Sequence, residues 1–329
     1  MEKFLITGGC GFIGSYLAEE LIKKNKKVIV IDDLSTGSIR NVLSILNNNN
    51  FNLFLDTILN YGILEELIKK VDFVFHLAAV VGVKKVMENP IESIIVNIEG
   101  TKNVLNLCRK YNKKLLITST SEIYGKNVNV PFSEDADIVI GSTKKKRWSY
   151  ACTKAIDEFL AFAFYEEYNL SVIIVRLFNT VGPRQTERYG MVIPRFIKQA
   201  LRGNDITIFG NGEQTRCFIH VKDVINCLLK LIEKEESYGE VFNVGSDDEI
   251  KIKDLAYLIK DIVKSDSKIE FINPEKIYNR GFEDMERRKP DLSKIRKILN
   301  FQPEYSIKDI INDVVEYFKK EIDLSNYFF

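Results

Sequence analysis

The chain has little of what most metal centres and histidine-based sites are built from. Among its 329 residues there are only two histidines, His76 and His220, and five cysteines, Cys10, Cys108, Cys152, Cys217 and Cys227, with no CxxC pair among them. This spacing offers no zinc ligand set and no histidine triad, and an odd number of scattered thiols reads as reduced. Net charge is lacking too, because 47 basic residues against 46 acidic ones leave +1. No overall field favours nucleic acid or a membrane surface, so an anionic ligand has to be met by local cations. There is no apolar run near the roughly 20 residues of a membrane span and no signal-peptide pattern at the N-terminus. A cytoplasmic location with no bound metal is the expectation.

What the chain does have is 45% hydrophobic residues, enough at this length for a substantial core. The first forty residues read as a βαβ unit: an apolar strand Lys3–Ile6, a glycine-rich turn, an amphipathic helix from about Gly14 to Lys24, and a strand Lys27–Ile31. Strand-like runs recur at Phe51–Leu55, Phe73–Leu77, Lys114–Thr118, Ser171–Arg176 and Val241–Val244, with helical patterns between several of them. Long helices are expected over Ser93–Tyr111 and Tyr150–Tyr168, and a last one over Ile307–Lys320. This alternation predicts an α/β protein with a Rossmann-type doubly wound parallel sheet. From about Gly182 the elements become short, which predicts a smaller α/β substrate-binding lobe in the C-terminal part. The expected division is 1–180 for dinucleotide binding, with returning segments near 217–246, and 181–329 mainly for the second lobe.

The run Thr7-Gly8-Gly9-Cys10-Gly11-Phe12-Ile13-Gly14 sets Gly8, Gly11 and Gly14 between a strand and a helix. There Gly8 permits the tight turn, Gly11 lets backbone approach a pyrophosphate, and Gly14 allows close helix packing, with the helix N-terminus facing the anion. Asp32 and Asp33 close the second strand, where a carboxylate bonds the adenosine ribose and repels a 2′-phosphate, so NAD is favoured over NADP. Asp33 is assigned the ribose contact, while Asp32 is as easily a solvated turn residue.

Tyr150 and Lys154 stand four residues apart at the start of a helix, and therefore on one face. A free tyrosine, with a pKa near 10, is only about 0.1% ionised at neutral pH. Bringing it to about 7 takes roughly 4 kcal/mol, which the Lys154 cation and a positive nicotinamide ring are expected to supply. Tyr150 could then take a hydroxyl proton while hydride leaves the same carbon. The hydroxyl-rich run Thr118–Tyr124, ending a predicted central strand, lies where side chains face a cofactor.

These residues resemble the extended short-chain dehydrogenase/reductase family, in its nucleotide-sugar epimerase, dehydratase and decarboxylase group. The likeness runs through Thr7–Gly14, Asp32–Gly37, His76–Ala79, Ser119–Gly125, Tyr150–Lys154, Arg176–Arg184, Arg216–His220 and Arg287–Asp291. It implies that Thr120 bonds the reacting hydroxyl beside Tyr150, that Lys154 also holds the nicotinamide ribose, and that Asp56 lies near the adenine. Phe12, Ile13 and Ala78 join the cofactor set by the same resemblance. Asn179, Arg216 and Arg288 are implied as contacts to a diphosphate and nucleoside ribose, Phe209 as the aromatic beside a uracil, and Ser121, Met191 and Val192 as sugar-side residues. A homodimer, paired through the helices near Ser93–Tyr111 and Tyr150–Tyr168, is implied as well.

All members of this group first make a 4-keto sugar and differ in the fate of that ketone. Glu122 resembles the decarboxylases and dehydratases, as does Arg147-Trp148 before Tyr150 the UDP-glucuronate decarboxylases. Gly281–Met285 and Gln185–Met191 resemble bacterial UDP-glucuronate and UDP-glucose 4-epimerases. Lys84, Arg147 and Arg184 are candidates to meet a uronate carboxylate. The balance of these features gives a UDP-sugar 4-epimerase, UDP-glucuronate preferred over UDP-glucose, with a UDP-glucuronate decarboxylase as the alternative and a 4,6-dehydratase behind it. Replacing Tyr150 by Phe is expected to abolish turnover of every such substrate while leaving NAD bound, as read by product analysis and cofactor content.

Overall fold

The computed structural model describes residues 1–186, 191–273 and 285–325, with the side chains of 83–85 and 322–325 outside that description. The first part of the chain runs β1 (Lys3–Thr7), α1 (Phe12–Lys23), β2 (Lys27–Asp32), β3 (Phe51–Leu55), α2 (Tyr61–Lys69), β4 (Phe73–His76), α3 (Val83–Glu88), α4 (Pro90–Lys110), β5 (Lys114–Thr120), α5 (Trp148–Tyr168) and β6 (Val172–Leu177). Then come β7 (Thr180–Val181), α6 (Val192–Leu201), β8 (Ile206–Phe209), β9 (Thr215–Cys217), β10 (Ile219–His220), α7 (Val221–Leu231), β11 (Val241–Val244), β12 (Glu249–Lys251), α8 (Ile252–Val263), β13 (Ile269–Ile272), α9 (Ser293–Leu299) and α10 (Ile307–Ser325).

Seven strands form one sheet in the order β11-β6-β5-β4-β1-β2-β3, and every pairing in it is parallel. A parallel sheet covered on both faces needs strands that are apolar throughout, and all four residues of β4 and of β11 are buried. Alternate side chains serve opposite faces. Phe4 and Ile6 pack with Leu17 and Leu21 of α1 and Val224 and Leu228 of α7, whereas Leu5 joins Leu64 and Leu67 of α2 and Val104 and Leu105 of α4. A separate core of Ile193, Phe196, Ile208, Leu255, Ile259, Ile311 and Val314 holds α6, α8, α10 and β8 together.

The strand order reverses between β1 and β4, which leaves a crevice above their carboxyl ends. Two glycines make it usable. Gly8 sits at φ +72° with the Ala78 backbone 2.9 Å from where a Cβ would be, and a Cβ on Gly14 would fall 2.3 Å from the Gly8 carbonyl. Several elements extend beyond the sequence reading. The end of β5 reaches Thr120 rather than Thr118, so Ser119 and Thr120 are strand residues, and α5 begins at Trp148, whose indole is fully enclosed.

Candidate active site

A cleft of about 1360 Å³ opens over the carboxyl ends of the sheet. Its wall includes nearly every candidate residue: Gly8, Gly11, Phe12, Ile13, Gly14, Asp32, Asp33, Asp56 and Ala78 at one end, then Thr120, Ser121, Glu122, Arg147, Tyr150 and Lys154, and beyond them Asn179, Arg184, Met191, Val192, Phe209, Arg216 and Arg288. Lys84 lies outside the described side chains, as do residues 187–190 and 281–284 of the two epimerase-like segments.

The glycine turn fits a dinucleotide. Gly11 is the N-cap of α1 and offers no capping side chain, so the first amides of the helix are open to an anion where only glycine backbone intervenes. Asp32, not Asp33, is the enclosed carboxylate at the end of β2. It accepts from the Cys10 and Leu34 amides at 2.8 Å each and is 7% exposed, whereas Asp33 is exposed and accepts from Ser35 N–H at 2.9 Å. Burial raises the Asp32 pKa and those amides pull it back. The strand thus carries Asp32 into the turn and leaves Asp33, the residue chosen for the ribose, to solvent, with both in the cleft wall.

At the centre, Thr120 and Tyr150 share the cleft wall, the tyrosine half-buried. The Lys154 ammonium is 2.9 Å from Asp157, with the two side chains 3% and 1% exposed. In the protein alone the Tyr150 pKa is pushed up, first by burial, then by Glu122 and Asp157, with Thr120 opposing them. The lowering expected from Lys154 acts together with a nicotinamide cation, and so concerns the protein with NAD bound.

At the sugar side, Glu122 lies in the 3₁₀ turn Ser121–Tyr124 that follows β5, and its carboxylate is 3.5 Å from the Arg288 guanidinium. Arg288 also donates to Asn179 Oδ1 at 2.9 Å, so it joins Glu122 to the segment after β6. It is held there by its neighbours. Phe132 N–H donates to the Lys289 carbonyl and Asp291 N–H to the Phe132 carbonyl, both at 2.8 Å, while Asn243 of β11 donates to the Phe132 carbonyl at 2.9 Å. Arg216 donates to the Thr215 carbonyl at 2.7 Å and is buried. Arg184 is withdrawn as a partner for a uronate carboxylate, because its guanidinium is clamped by Glu19 at 2.8 and 2.9 Å and lies over the Tyr16 ring. Arg147, 7% exposed beside Trp148, keeps its place in the cleft wall near Tyr150.

Two residues escaped the sequence reading. Arg195 of α6 lies 4.1 Å over the Phe209 ring, a pairing no local pattern announces. Asp157 was legible in principle, since three residues past Lys154 on a helix is a neighbouring position.

A glycine turn under an open helix end, with Thr120 at the end of β5 and Tyr150 and Lys154 on α5, defines a protein of the extended short-chain dehydrogenase/reductase type. The chain belongs to the family described as GDP-mannose 4,6 dehydratase, which matches residues 5–314, within the nucleotide-sugar epimerase, dehydratase and decarboxylase group. It is 41% identical, over 97% of its own length and 98% of the other, to a UDP-N-acetyl-alpha-D-glucosaminuronate decarboxylase of Bacillus cytotoxicus. It is 35% identical to UDP-glucuronic acid decarboxylase 1 of Xenopus tropicalis, covering 98% of this chain and 73% of that one. The structure of a UDP-glucuronic acid 4-epimerase from Bacillus cereus, in complex with UDP-glucuronic acid and NAD, superposes with a TM-score of 0.87 at 29% identity, covering 97% and 99% of the two chains.

The two aspartates give a direct test of the cofactor end. Asp32→Ala is expected to lower the NAD retained through purification by about tenfold, the loss of one charge-assisted hydrogen bond, and Asp33→Ala to leave it unchanged. Released nucleotide quantified by chromatography reads both, and the opposite ranking would favour Asp33.

Proposed function

We propose that the chain is an NAD-dependent decarboxylase of a UDP-linked hexuronate, the alternative rather than the epimerase favoured by the sequence reading. The observation that carries this is the Glu122–Arg288 pair, 3.5 Å apart in the same cleft wall as Thr120 and Tyr150. A 4-epimerase needs room for its ketone to turn, whereas a decarboxylase has a carboxylate to steer and a carbon to protonate, which is work for an acid and a guanidinium. The two decarboxylase relatives, at 41% and 35% identity, support the same choice over the epimerase structure at 29%.

The chemistry supplied by bound NAD is removal of hydride from C4 and its later return. Tyr150 takes the C4 hydroxyl proton, with the Thr120 hydroxyl in the same cleft wall orienting that exchange. Once C4 is a ketone, the C6 carboxylate is β to it, so the C5–C6 bonding pair can move onto the C4 oxygen as carbon dioxide leaves. Tyr150, now a neutral phenol, donates to that enolate oxygen. Glu122, having first taken up a proton from solvent, passes it to C5, which restores the ketone to which hydride then returns, and Arg288 holds Glu122 and steers the carboxylate out of the sugar plane. Arg216 and Asn179 meet the diphosphate, and Phe209, backed by Arg195, receives the base. Of the described candidates, Arg147 is the cation placed to meet the uronate.

The same reading includes a homodimer. The paired helices α4 and α5 leave Ile91, Ile95, Ile156 and Phe159 exposed, Ile91 at 74% and Phe159 at 69%, more apolar surface than isolated helices usually leave to water. Light scattering is expected to give twice the 37.9 kDa chain mass, and Phe159→Glu to halve it; a monomer in the unaltered protein would remove the dimer from the account.

Incubation with UDP-glucuronate and with its 2-acetamido counterpart should yield a UDP-pentose from at least one of them, seen by mass and NMR. Glu122→Gln is expected to cut that product by about 10²–10³-fold, the range for a lost general acid, while C4 oxidation still appears as reduced-nicotinamide absorbance in a single turnover. An unchanged mass with inverted C4 would return the chain to the epimerases.

A further inference from the structure

Behind the catalytic lysine, polar groups continue through the inside of the protein. Asp157 Oδ2 accepts from the Lys154 ammonium at 2.9 Å, while its Oδ1 is enclosed near Thr101 of α4 with no hydrogen-bond partner among the described residues. Thr101 Oγ1 is 3.0 Å from His76 Nε2, His76 Nδ1 is 2.8 Å from Thr7 Oγ1, and Thr7 Oγ1 accepts from the Ala78 amide at 3.2 Å. In the neutral His76 ring one of these nitrogens donates and the other accepts, so the imidazole links Thr101 to Thr7. His76 is neutral throughout the working range, since burial, with Lys154 adding to it, pushes its pKa down to about 3. Thr7, His76, Thr101 and Asp157 are each no more than 1% exposed, and this set ends on the turn where Gly8 meets Ala78.

We propose that Asp157 is a positioning residue for the oxidation step: buried behind Lys154 and ion-paired to it, it fixes the Lys154 ammonium and sets how much of that charge reaches Tyr150. This rests on the proposed function only in that C4 oxidation by Tyr150 is the first step. Tyr150 works as the phenolate, so the rate falls on the acid side as the phenol becomes protonated. A negative charge nearby favours the protonated phenol and moves that limb to higher pH; its removal moves the limb down. The charged groups facing Tyr150 are Glu122, with Arg288 behind it, and the Lys154–Asp157 pair along α5. Those facing Asp157 are Lys154 and Glu158, the latter tied to Arg176 at 2.7 Å, with neutral His76 beyond Thr101.

The test is the pH dependence of kcat for UDP-glucuronate and its 2-acetamido counterpart, with KM and retained NAD measured in parallel. Asp157→Asn, which keeps the shape, and Asp157→Ser, which keeps only a hydroxyl, are both expected to move the acid limb down by about one pH unit, the scale of a nearby charge, with KM little changed. Thr101→Val removes a neighbour but not the charge, and is expected not to lower the limb. If the limb stays put in both Asp157 variants, or falls equally in Thr101→Val, Asp157 is structural and the proposal is overturned. Failure of the unaltered enzyme to turn over any UDP-sugar would instead sink the proposed function, so the two failures are distinct.

Discussion

Because β1, β4, β5 and β6 run parallel and in step, Thr7 lies level with His76, His76 with Ile117, and Thr120 with Leu177. That register delivers the last side chains of each strand to one edge, and the cleft is made from them. The glycine turn hangs from β1, the aspartate from β2, the Ala78 amide from β4 and the Thr120–Glu122 group from β5. A one-residue slip of β5 would send Thr120 to the opposite face of the sheet and separate it from Tyr150. The two apolar cores on either side of the sheet, under α1 and α7 and under α2, α4 and α5, resist that slip.

Two buried polar systems then divide the labour. One is made of the Lys154–Asp157 pair and, beside it, the Thr101–His76–Thr7 set under the cofactor side. The other centres on Arg176, which donates to Glu158, to the Tyr124 hydroxyl and to the Glu134 carbonyl, while Tyr124 donates to Asn243 at 2.7 Å. Asn243 in turn holds Phe132, and Phe132 holds the strand of chain that carries Arg288. The second system therefore brings an arginine 166 residues away to within reach of Glu122. Paired as it is, the second network fixes one arrangement of these segments.

Local order in this molecule is readable where the chain itself enforces it. Strands β3 and β11 fall where their apolar runs predict, and the glycine turn, α1 and β2 follow from spacing within a residue or two. Choices between adjacent residues are not readable in the same way: Asp32 and Asp33 look alike until β2 is seen to end on the first. Arg184 carries the right charge for a carboxylate, but the partner it finds is Glu19 of α1, a contact across 165 residues that no spacing encodes. The Tyr150–Lys154 spacing puts both side chains in the cleft wall, but it does not show that Asp157 stands beside the lysine and pairs with it. The proposed reaction depends on the meeting of Glu122 and Arg288, which is tertiary.

The central claim is that Tyr150 opens the C4 position and the Glu122–Arg288 pair completes the chemistry at C5 and C6. UDP-glucuronate carrying deuterium at C4 and carbon-13 at C6 tests it in one reaction. The carbon-13 is expected to leave as carbon dioxide while the deuterium is found again at C4 of a UDP-pentose. Retention of carbon-13 in a six-carbon sugar with C4 inverted would contradict it.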